Sequence, residues 1–98
     1  MIRILLPTHL WRLANVKPEV ILPVEGPITM NAVLDVLEDQ YPMLKGTIRD
    51  QVSKERRAYV RYFASGEDWS FEPTDRALPE SVAEGKEPLR IVGAMSGG

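Results

Sequence analysis

No cysteine occurs anywhere in the sequence. Disulfides, thiolate metal sites and thiol nucleophiles are therefore excluded together, and the composition fits a reducing compartment. Histidine occurs once, as His9. A lone histidine without a neighbouring nucleophile or a spaced acid makes no catalytic set, and a metal site needs more ligands, so neither catalytic residues nor metal are expected. His9 is read as an ordinary surface or half-buried side chain, in a loop after the first strand. The glycines show no GxGxxG or GxxxxGK spacing, so no phosphate loop is expected. Charge of one sign is lacking too: 12 basic against 14 acidic residues leave a net charge of -2. That balance carries no footprint for a nucleic acid. Long apolar runs are absent. The start, MIRILLPTHLWR, has no charged leader and no small-residue cleavage site, so neither a signal peptide nor a membrane span is expected. The chain is placed in the cytoplasm.

What remains is an ordinary globular composition, 44% apolar and 27% charged over 98 residues. A chain of this size buries roughly two-thirds of its unfolded surface, enough for one modest core. Ile2, Ile4 and Leu6 alternate with Arg3 and Leu5, which predicts a strand ended by Pro7. A second strand is predicted in EVILPVEG, with Val20, Leu22 and Val24 on one face. Pro23 cannot donate to a ladder and marks this strand as an edge. The connection between them, THLWRLANVKPE, reads as irregular.

The period then changes. Met30, Val33, Leu34, Leu37 and Tyr41 fall on one face of a helix, with Thr29 as N-cap and Pro42 forcing its end. Asn31, Asp35, Glu38 and Asp39 are assigned to its outer face. Leu44, Ile48 and Val52 could line a short second helix, weakened by Gly46. The run KERR at 54–57 reads as a solvated loop, or as a steering contact for an acidic partner. AYVRYFASGEDWSF predicts two strands joined at SGED, where Gly66 supplies the turn conformation. Large side chains on both faces leave the parity of residues 59–64 open. Glu67 with Asp68, and Glu80, Glu84 and Glu87, are acids in turns and read as solvated. Trp11 and Trp69 are core or half-core packing before they are interface anchors. A turn-like ALPESVAEG leads to a last strand, PLRIVGA. Two strands, a helix crossing over and further strands on the same sheet describe an α+β roll. One helix covers one face only, so the other face meets water or a partner.

The sequence closes on MSGG. Residues without a Cβ make the thinnest chain, suited to passing through a narrow channel into another protein's active site. A free carboxylate is a poor acyl donor, but joined to AMP it becomes a mixed anhydride that a sulfur or nitrogen nucleophile can attack. With no cysteine in this chain, that sulfur comes from elsewhere. On this reading the protein is a substrate and a carrier, not an enzyme.

Three stretches carry a resemblance: MIRILLPTHLWR, RAYVRYFASGEDWSF and ALPESVAEGKEPLRIVGAMSGG. Together with the terminal diglycine they resemble the ubiquitin-like β-grasp sulfur carriers of the ThiS/MoaD family, closest to the subgroup serving cysteine and thio-metabolite synthesis. Two departures stand out. EGKEPL occurs where a Gly-Asp pair without proline is usual, and Gly93 stands where a proline is common. The resemblance implies a mixed β-grasp sheet of about four or five strands with one main helix on one face, spanning residues 1–94, and a tail at 95–98. It implies that Gly98 bears the acyl-adenylate and then the thiocarboxylate, with Gly97 and Ser96 threading beside it. A ubiquitin-activating-like adenylating enzyme would supply ATP and Mg²⁺, no cofactor being bound by the chain itself. A sulfur-acceptor synthase would be the second partner, and no membrane would be involved. If strand parity follows the family, Leu89 and Ile91 point into the core, and Arg90 and Val92 share the free face with Leu5 as the docking surface. Two other readings stand beside this one: a modifier conjugated to lysines through Gly98, and a β-grasp interaction module whose glycines do nothing.

Overall fold

The structure, a computed structural model, describes residues 1–93. The element order is β1 (Ile2–Leu5), α1 (Thr8–Leu13), β2 (Glu19–Leu22), α2 (Met30–Gln40), a 3₁₀ turn (Pro42–Leu44), β3 (Val60–Ala64), β4 (Glu67–Asp68), α3 (Glu80–Ala83) and β5 (Leu89–Gly93). Five strands form one mixed sheet in the order β2-β1-β5-β3-β4. β5 therefore lies in the middle, parallel to β1 and antiparallel to β3. β2 is an edge, as Pro23 predicted.

Each strand alternates strictly. Ile2 and Ile4, Val20 and Leu22, Val60, Tyr62 and Ala64, and Leu89 and Ile91 are buried in one cluster with Val33, Leu34 and Leu37 of α2. Complete burial of one such aliphatic side chain is worth about 1.5–3 kcal/mol, so this cluster dominates the fold's stability. The open parity at 59–64 is settled with Tyr62 inward. Burial pushes its phenol up to about 12. Leu10 of α1, Leu44 and Val82 of α3 join the same cluster, so the helical elements feed one side of the sheet. Helix α2 begins where Thr29 accepts a hydrogen bond from the Ala32 amide at 3.1 Å, the predicted cap.

Three expectations need correction. The connection after β1 is not irregular. Pro7, extended at φ -69°, opens α1, and His9 sits on that helix rather than in a loop. No second long helix follows α2. After the 3₁₀ turn Gly46 takes φ +83° and the chain proceeds by turns. Leu44 and Ile48 are buried, but Val52 is 92% exposed. Glu38 is not on the outer face. It is buried against Arg49, which donates from Nε to Oε2 at 2.9 Å and from Nη2 to Oε1 at 3.1 Å. The same guanidinium reaches Asp35 and Asn31. Burial alone would lower the Arg49 pKa, but its hydrogen bonds to Glu38 and Asp35 outweigh that and hold it above the ordinary value.

Candidate functional site

The burial of alternate strand residues fixes what the opposite sheet face presents. β1 offers Arg3 and Leu5, β5 offers Arg90 and Val92, and β3 offers Arg61 and Phe63. Register brings them together, because Leu5 faces Arg90, Phe63 faces Arg90, and Arg61 faces Val92. Leu5, Arg90 and Val92, the three face residues expected from the sequence, are thus neighbours. All three line both of two shallow concavities on this face, of ≈ 490 and ≈ 750 Å³. The first continues past Phe63 to the β3–β4 turn. The second runs between β5 and α1, along Pro7, His9 and Arg12 to Gly93. Leu89 and Ile91 point inward, as expected.

The rim of this face is held by local chemistry. Arg3 donates to Glu19 at 2.9 Å and to the Lys86 carbonyl at 3.1 Å, tying β1 to the edge strand and to the turn before β5. Ser65 and Gly66 both take positive φ, the mirror-image turn that fits a two-residue hairpin. Asp68 accepts from the Ser70 amide at 2.8 Å. The Ser70 hydroxyl and amide, helped by Arg61 and Arg56, hold its carboxyl below the usual range. Arg56 turns inward, donating to the carbonyls of Val60 at 2.7 Å and Ser70 at 3.1 Å, and lies 4.9 Å from the Phe71 ring centre. Lys54, Glu55 and Arg57 are exposed, so the loop reading holds for the rest of KERR. Trp69 is buried and Trp11 half-buried, so core packing accounts for both.

Sequence reasoning missed Phe63 and Arg61 as members of this face, because the parity of β3 was undecided. The strand's pairing with β5 decides it. Ser96, Gly97 and Gly98 lie outside the described residues. Among the described residues, no three potential metal ligands come together, and no helix is long and apolar enough to cross a membrane.

No family model matches the chain, and no curated protein matches it in sequence. Solved structures do match it in shape. Haloferax volcanii SAMP1 shares 22% identity at a TM-score of 0.75, covering 98% of this chain and 97% of that one. A chain of the Amycolatopsis orientalis BexX/CysO complex shares 18% at a TM-score of 0.75, over 100% of both chains. Mycobacterium tuberculosis CysO shares 22% at a TM-score of 0.73, over 97% of this chain and 100% of that one. At such identities the likeness speaks to architecture. This chain has the ubiquitin-like β-grasp fold.

Proposed function

We propose that the protein is a sulfur carrier that works through Gly98. A partner enzyme joins the Gly98 carboxylate to AMP, using ATP and Mg²⁺ and releasing pyrophosphate. A sulfide sulfur then attacks the acyl carbon, AMP leaves, and a thiocarboxylate remains for a sulfur-acceptor synthase to consume in cofactor, cysteine or thio-metabolite synthesis. The chain supplies no catalytic group to either step. The observation that supports this reading is the position of β5. The strand that precedes the diglycine is the central one, hydrogen-bonded on both sides, and its outward residues Arg90 and Val92 form the concave face with Leu5. A docking surface and a reactive terminus therefore belong to one rigid strand. Similarity to a chain of the BexX/CysO complex supports partnership with an enzyme.

A second reading shares the adenylate but ends in an isopeptide bond to a lysine of another protein. The likeness to structures described as small archaeal modifier protein 1 favours it. Intact mass after co-expression with an adenylating enzyme and a sulfide source tests the first reading. The expected result is the gain of one sulfur-for-oxygen exchange, lost when Gly98 is deleted. Conjugate ladders without that exchange would favour the modifier. No mass change with any activator, and partner interactions intact without Gly97 and Gly98, would leave an interaction module.

A further inference from the structure

Glycine at position 93 is not explained by backbone conformation. Gly26, Gly46, Gly66 and Gly85 all take positive φ, but Gly93 does not. It sits in β5 opposite Val60 of β3, in a strand where glycine weakens the element unless something needs the space. Something does. A Cβ at 93 would stand 2.5 Å from Cε1 of His9, 3.3 Å from Nε2 and 3.5 Å from Nδ1. By the alternation of β5, the side chain at 93 would follow Leu89 and Ile91 inward. The His9 imidazole stands in its place.

The chain's course explains this meeting. β1 pairs with β5 only as far as Leu5 and Arg90. Pro7 then ends the extended run, and α1 starts beside the part of β5 that has outrun its neighbour. Ile91, Val92 and Gly93 border the same concavity as Pro7, Thr8 and His9. His9 is thus the α1 side chain set against the last described residue before the tail.

We propose that His9 is a positioning residue for the C-terminal segment. Its contact with Gly93 sets where, and in which direction, β5 hands the chain to residues 94–98, and so how Gly98 meets the adenylating site of the partner. His9 does no chemistry in this role. The consequence for Gly98 rests on the carrier reading, whereas the contact itself does not.

Four chains test it: wild type, Gly93→Ala, His9→Ala and the double variant. Two quantities are read, the backbone amide resonances of residues 94–98 in the free protein, and kcat/KM of the chain as substrate in adenylate formation. Gly93→Ala is expected to move those resonances and to lower kcat/KM by about tenfold, within the 100-fold or so that a displacement of about 1 Å can cost. Removing the ring should undo the clash, so the double variant returns to within about threefold of wild type, the non-additivity of a contacting pair. If the two substitutions act independently, or if Gly93→Ala moves neither quantity, the proposal fails. Should Gly93→Ala unfold the chain, refolding in the double variant supports the contact, and continued unfolding overturns it. A wild-type chain that no adenylating enzyme accepts sinks the carrier reading instead, and the amide resonances still decide whether His9 and Gly93 act as a unit.

Discussion

Arg49 ties the connection between α2 and β3 to the helix. Its side chain is 2% exposed and that of its partner Glu38 is 5% exposed, so neither charge is solvated when the other is removed. Breaking such a pair from one side typically costs about 3–5 kcal/mol, more than the pair itself contributes relative to apolar replacements. Arg49→Leu is therefore expected to lose about that much in urea unfolding, and Glu38→Leu/Arg49→Leu to recover most of it. A loss below about 1 kcal/mol in the single variant would mean that the pair is not what holds the segment. Helical periodicity could not reveal this interaction. On a wheel Glu38 belongs with Asp35 and Asp39, and its partner lies eleven residues on, in a stretch with no period of its own. The same limit hid the role of Gly93, since the ring that fills its space comes from the opposite end of the sequence.

Elements with a sustained pattern were legible, and short ones were not. α2 was readable at both ends because Thr29 and Pro42 bracket five apolar positions on one face. Thr29 accepts from Ala32, and the helix start is tied further by the Asn31 amide donating to the Thr74 carbonyl at 3.1 Å. Thr29→Ala should cost about 1 kcal/mol in denaturant unfolding, with Thr29→Ser close to wild type. Equal losses in both variants would assign the effect to packing and not to the hydroxyl. α1 has only Leu10 buried among its six residues, too few turns for a period to show. In the stretch after α2, Leu44 and Ile48 mimic helical spacing, but Gly46 in the left-handed region breaks the chain between them. Packing under α2, and not a helix of their own, keeps those two side chains in.

Taken whole, the molecule is weakly acidic while its open sheet face carries Arg3, Arg61 and Arg90. Arg3 and Arg61 are engaged by carbonyls or by Glu19, so Arg90, exposed between Leu5 and Phe63, is the residue through which this face's charge is best altered. If the face meets an activating enzyme, Arg90→Glu should slow association by about tenfold at low salt and leave thermal stability unchanged. The difference should shrink as salt rises and screening shortens the reach of the charge. Unchanged association at low salt would place docking elsewhere on the surface.

The central place of β5 also has a consequence in time. Strand order is not synthesis order. Among the described strands, the one made last is inserted between the one made first and one made in between. Until Leu89 and Ile91 emerge, β1 and β3 have no common neighbour, and the nascent chain holds two separate ribbons with an unfilled core. Long-range pairing of this kind is slow and late in folding. A ribosome-bound or prematurely ended chain would thus offer no finished face to an activator. Completion of folding becomes the checkpoint that must be passed before the terminus is worth reading.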